Sequence, residues 1–205
     1  MHPIERLRYV AGAGHLGPGE AALEAAWALT AVAGDPQELL VACRRLLERH
    51  PAAGPLWWLC ARTLVAADPR AALHEAAELI EHDPTYERAL DVIPDDALLL
   101  EAWAAGPDGF LAVPGSADLA ADMWQAGIQV WVACEVGRPL PGPLWEAARD
   151  AALGQSPPVV ELMAWSAVTH VMGPSGPLQR SAAGRSADCP LAPELMKRST
   201  HGQAP

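Results

Sequence analysis

Apolar residues recur at helical spacing through the first ninety positions and then change to short runs typical of strands. From residue 18 to about 32, Leu23, Trp27 and 29–32 form one apolar side behind Pro18, a good first residue for a helix. Asp35-Pro36 followed by Glu38 is a helix start, with Leu39, Leu40, Cys43, Leu46 and Leu47 on one face and Arg44, Arg45, Glu48 and Arg49 on the other. Pro55 opens a segment, PLWWLCARTLVAA, that is apolar on nearly all sides and is therefore expected at the centre of a helical layer. Asp68-Pro69 and Asp83-Pro84 repeat the cap-and-proline device before helices at 70–81 and 85–90. A shorter amphipathic turn is expected at 4–10.

After Ile93-Pro94-Asp95-Asp96 the pattern changes. Residues 98–103, LLLEAW, suit a buried strand. A turn at 106–109 and a short apolar run at 110–113 lead to Gly115-Ser116. Ser116 is expected to cap a helix over 117–126, stopped by Gly127, before a second strand at 128–133. Strand, helix, strand implies a βαβ crossover and a parallel sheet. A further helix is expected at 143–153, then apolar stretches at 159–163 and 167–172. The expected fold class is α/β: an all-helical N-terminal region over 1–92, a shortened Rossmann-like region over 95–180, and a disordered tail over 181–205. A parallel sheet needs cover on both faces, and the expectation is that the helical region covers one and a second subunit the other.

Composition narrows the function classes. The chain of 205 residues carries formal net charge −11, which argues against a nucleic-acid-binding surface. It has no apolar run of membrane-spanning length, and the start MHPIERLRYV lacks the apolar core of a signal peptide. Cys43, Cys60, Cys134 and Cys189 are scattered without a CxxC pair, which predicts reduced, buried thiols, a cytoplasmic protein, and neither metal site nor cofactor. Glu101 stands alone in an apolar strand and needs either a catalytic task or a partner. Gly115-Ser116 at a helix N-terminus can present N–H groups to an anion or simply cap the helix. His50 falls at a helix end, where the dipole favours positive charge. Asp108, between Gly106 and Gly109, fits turn chemistry.

Three stretches, in order, carry a family resemblance. HPAAGPLWWLCARTL (50–64) resembles the arginine-proline-threonine-alanine-valine-asparagine-leucine segment and following helix of the family containing methylthioribose-phosphate isomerase and the regulatory subunits of eukaryotic initiation factor 2B. GPDGFLAVPGS (106–116) and IQVWVACEVGR (128–138) are similar to its glycine turn, its asparagine-lysine-hydrophobic-glycine-threonine motif and the strand behind it. ELMAWSAVTHVMGPSG (161–176) resembles its closing segment. The resemblance implies a helical domain, a Rossmann-like domain and dimerisation. It also implies a site for a phosphorylated sugar, here mapped onto Glu101 as acid–base and Gly106, Gly109, Gly115, Ser116 and His50 as ligand contacts.

The departures from that family are chemical. His50 stands where the family has a phosphate-binding arginine, Ala112 where it has asparagine and Val113 where it has lysine. The catalytic aspartate position falls within 101–103, which holds no Asp, and the early strand bearing the catalytic cysteine is missing. The expectation is a non-catalytic interaction or regulatory protein that forms homo-oligomers. The alternative is a sugar-phosphate aldose–ketose isomerase using Glu101, and a third reading is a degenerate chain with no activity.

Overall fold

The computed structural model describes residues 16–180 and 188–196; the expected turn at 4–10 lies outside the described residues. Five helices come first: α1 (Pro18–Leu29), α2 (Pro36–Arg49), α3 (Gly54–Val65), α4 (Pro69–Glu81) and α5 (Thr85–Val92). Two of the three Asp-Pro starts act as expected, while at the third Pro84 and not Asp83 is the cap of α5. Asp35 accepts from the amides of Gln37 and Glu38 at 2.8 and 3.1 Å, and Asp68 accepts from those of Arg70 and Ala71 at 3.0 and 3.1 Å. Asp83 accepts from the Thr85 amide at 2.7 Å. α3 is central, with every residue from Gly54 to Ala61 buried. Around it pack the alanine face of α1, Leu39, Cys43 and Leu46 of α2, and Leu73, Ala76 and Ala77 of α4. Small alanine side chains allow close helix approach, which brings more atoms into contact.

The α/β part contains two sheets. In the first, β1 (Leu98–Glu101) and β4 (Val130–Ala133) run parallel, with Leu98 opposite Val130 and Glu101 opposite Ala133. The helix α6 (Ser116–Gln125) lies between them in the chain. β6 (His170–Gly173) adds a third parallel strand, and β7 (Gly176–Leu178) closes the edge in antiparallel sense. The second sheet, which the apolar pattern did not reveal, is antiparallel: β2 (Ala104–Ala105), β3 (Gly109–Ala112) and β5 (Glu161–Ala164). Residues 98–103 therefore do not make one strand. The chain leaves the parallel sheet after Glu101 and enters the other at Ala104. α7 (Gly142–Leu153) packs Leu144, Trp145 and Ala148 into the same core as the first helices.

Both faces of the parallel sheet are covered from within the chain. Leu100, Val130, Val132 and Val171 meet Ala120 and Met123 of α6, with Phe110 and Met163 of the second sheet. Trp131, Met172 and Leu99 meet Ala89 and Ile93, on and just after α5. A second subunit is not needed to cover this sheet, contrary to the expectation. Two further corrections are local. Gly115, not Ser116, is the cap of α6, because its φ of +91° is a left-handed conformation that glycine alone adopts freely. Part of the tail expected to be disordered is ordered: residues 188–196 pack Cys189, Ala192 and Leu195 into the main core, ending in the short helix α8 (Pro193–Met196). An apolar residue at every third position gives this segment enough to bury; the rest of the tail lies outside the described residues.

Candidate functional site

In parallel α/β sheets ligands bind beyond the carboxyl ends of the strands, and here those ends converge on one cation. Glu101 ends β1. Beyond β4 the chain continues through Cys134, Glu135, Val136 and Gly137 to Arg138. Arg138 is the only buried charged residue among the described residues, at 2% exposure. Its Nη2 donates to Glu101 Oε1 at 2.7 Å and also to Glu135 Oε2, while Nε donates to Glu135 Oε2 at 3.0 Å. The Trp103 carbonyl accepts from the Gly54 amide at 2.8 Å and lies 3.5 Å from Arg138 Nη1. Gly137 lets this loop approach α3: a Cβ there would lie 2.9 Å from Pro55 Cα, and φ is +75°.

A second layer holds the loop from the helical side. The Val136 amide donates to Asp83 Oδ2 at 2.5 Å, so one aspartate serves both the α4–α5 junction and the strand loop. Burial, then the charges of Glu101 and Glu135, push the Tyr86 phenol up to about 12, with Arg138 opposing. Burial likewise pushes the Cys134 thiol to about 12, so it stays protonated at neutral pH and is a poor nucleophile. Beside the cluster lies a cleft of 210 Å³ lined by Glu20, Glu81, Asp83 and Glu135, with Leu23 and Ile80 as apolar walls. Carboxylates dominate its polar lining, which is the wrong sign for a dianionic phosphate.

The residues expected to hold a ligand are placed as follows. A Cβ on Gly106 would lie 2.1 Å from the Trp145 ring, and one on Gly109 would lie 2.2 Å from the Met163 carbonyl oxygen. Both glycines permit close packing of the turn against α7 and β5. Asp108 accepts from Trp145 Nε1 and, at 2.9 Å, from Arg149 Nη1, which pins the turn to α7. The N-terminus of α6 already has an anion: the Ala117 amide donates to Glu161 Oε1 at 2.6 Å. Ser116 is the first residue of that helix and is buried. His50 ends α2, its amide donating to the Leu46 carbonyl at 2.9 Å. No described contact joins Gly115, Ser116 or His50 to Glu101. Among the described residues no group of three His, Cys, Asp or Glu is arranged to hold a metal ion.

Arg138 was missed in the sequence. A lone carboxylate at a strand end calls for a cation, and Glu135 three residues before Arg138 marks the segment, but only the parallel register brings residue 138 to residue 101.

No family model matches the sequence, and no curated protein sequence does. Solved structures do. The chain is similar to eIF2B beta from Chaetomium thermophilum, with TM-score 0.64, 13% identity, and 98% of this chain and 94% of that chain covered. It is similar to the translation initiation factor eIF-2B of Pyrococcus horikoshii OT3, with TM-score 0.68, 11% identity, and coverage of 86% and 96%. The chain has an eIF2B-like fold. A third similar structure is from the tetrameric eIF2B-beta2-delta2 complex of C. thermophilum, with TM-score 0.63, 14% identity, and coverage of 89% and 92%. No described helix is long and apolar enough to cross a membrane.

Proposed function

We propose that this chain is a non-catalytic interaction or regulatory protein, a shortened relative of the initiation factor 2B-like family, acting in the cytoplasm as a homo-oligomer. The observation that carries this reading is the pairing of Arg138 with Glu101 and Glu135. Moving a proton between adjacent carbons needs a positioned acid–base group free to take it up. Glu101 is instead engaged as an acceptor of a buried guanidinium at 2.7 Å. The rest of the site supports the same reading: Trp103, Ala112 and Val113 supply no acid, amide or ammonium group, and Glu161 occupies the helix terminus.

Partner contact is the role left for such a fold. Leu119, Trp124 and Leu162 are exposed on α6 and β5, a setting in which large apolar groups mark an interaction surface. The division into a helical region to residue 92 and an α/β region over 95–180 belongs to this proposal as its two functional parts. The test is to incubate the protein with ribose and methylthioribose phosphates and follow ketose formation by NMR. No turnover is expected. Turnover that is lost in Glu101→Gln, with the fold retained, would establish the isomerase alternative instead.

A further inference from the structure

Residues 188–196 lie against the helical layer with Cys189, Ala192 and Leu195 buried at three-residue steps and Met196 packed beside them. α8 touches α2 on one side and α7 on the other. Arg44 of α2 donates Nε and Nη2 to the main-chain carbonyl of Glu194, at 3.1 and 2.6 Å. Pro190 and Pro193 have no N–H to satisfy and restrict the backbone in advance, so the segment seats with few hydrogen bonds of its own. Three apolar anchors hold its nine residues, against six in each of the twelve-residue helices α1 and α3. Segments held by so few buried groups open without global unfolding.

We propose that residues 188–196 are a detachable strap, and that the groove beneath them, between α2 and α7, is a peptide-binding site whose resident ligand is this chain's own segment. Recognition is by a small residue, an alanine and a leucine at three-residue steps. Arg44 reads the carbonyl just before the leucine, a contact indifferent to the side chain it belongs to. The strap lifts as a unit, because each of its anchors is held only while its neighbours are seated. This inference does not depend on whether the chain is catalytic.

Cys189 reports the motion. Burial pushes its thiol up to about 12, with Arg62 opposing, so reaction with a maleimide near neutral pH requires the strap to lift and release it into water. Labelling of the full chain, followed residue by residue by mass spectrometry, should modify Cys189 at least about tenfold faster than Cys43, Cys60 and Cys134. The Cys189 rate should respond weakly to sub-denaturing urea, since little surface is exposed on lifting, while the other three respond steeply. Leu195→Asp and the milder Arg44→Ala should each raise the Cys189 rate and leave the Cys43 rate unchanged. A synthetic peptide of residues 188–196 carrying Cys189→Ser should raise the melting temperature of the Leu195→Asp protein, and the same peptide with Leu195→Asp should not.

Equal rates and urea dependence at Cys189 and Cys43 would make the segment an integral part of the core and overturn the proposal. So would a parallel rise at Cys43 in both variants. Unchanged Cys189 labelling in both variants would show that these contacts do not hold the segment. Absence of any peptide effect at millimolar concentration would remove the groove as a binding site.

Discussion

Arg138 ties the end of β1 to the loop beyond β4 through two carboxylates. It sits at 2% exposure between two carboxylates that still reach solvent, Glu101 at 38% and Glu135 at 21% of their side-chain area. Breaking a buried pair costs about 3–5 kcal/mol when the remaining charge is sealed in. Here the carboxylates can rehydrate, so Arg138→Met is expected to destabilise by roughly 2–3 kcal/mol, read as a lower urea midpoint at constant slope. Tyr86 reports the same cluster through pH. Its phenol ionises near 12 when folded against an ordinary value of 10, so between those values the unfolded chain loses the proton first. Stability is therefore unaffected below about pH 10 and falls as pH rises toward 12. An absorbance titration in a Tyr9→Phe background should place Tyr86 near 12, and Glu101→Gln should lower that midpoint by removing a neighbouring negative charge. A midpoint near 10 in the folded protein would mean that Tyr86 is not packed into this cluster.

At the level of elements, glycines that look alike in sequence do different work. Gly106 and Gly109 admit Trp145 and the Met163 carbonyl, whereas Gly115 and Gly127 meet nothing within 4 Å and serve backbone conformation. Gly106→Ala forces a methyl into an indole ring and is expected to cost about 3 kcal/mol or more, since the ring is locked in the core. Gly115→Ala has space but carries a left-handed φ, and is expected to cost roughly 1–2 kcal/mol. Thermal melts of the two variants should differ accordingly. An equal small loss in both would mean that Trp145 is free to move. Capping offers a matched comparison: Asp35→Ala and Asp68→Ala each remove two accepted amide bonds and should each cost about 1 kcal/mol.

For the whole molecule the question is what the exposed apolar groups are for. The parallel sheet is sealed by α5 and α6, so any assembly must use outer surfaces. Trp124 is 57% exposed on α6, a helix that also exposes Leu119. The homo-oligomer reading predicts that sedimentation at micromolar concentration gives a species of at least twice 21.6 kDa, and that Trp124→Asp shifts it toward the monomer. A single species near 21.6 kDa in the parent protein would remove that reading. A dimer that persists in the Trp124 variant would move the interface elsewhere.

Sequence alone determined what local chemistry controls. The Asp-Pro helix starts, the central placement of the tryptophan-rich α3, and the order strand, helix, strand from 98 to 133 are consequences of caps, proline geometry and apolar periodicity, all short-range effects. The α/β class was legible in the change from helical spacing to short apolar runs after residue 93. Tertiary structure decided the rest. Residues 98–103 do not stay one strand because the chain leaves the parallel sheet after Glu101 and Ala104 pairs with Leu111, a choice set by partners outside the run. Glu161 meets the α6 terminus across 44 positions, and Arg138 meets Glu101 across 37. No local pattern encodes such pairings: a buried charge needs a partner, but which residue supplies it depends on where the sheet brings the chain together.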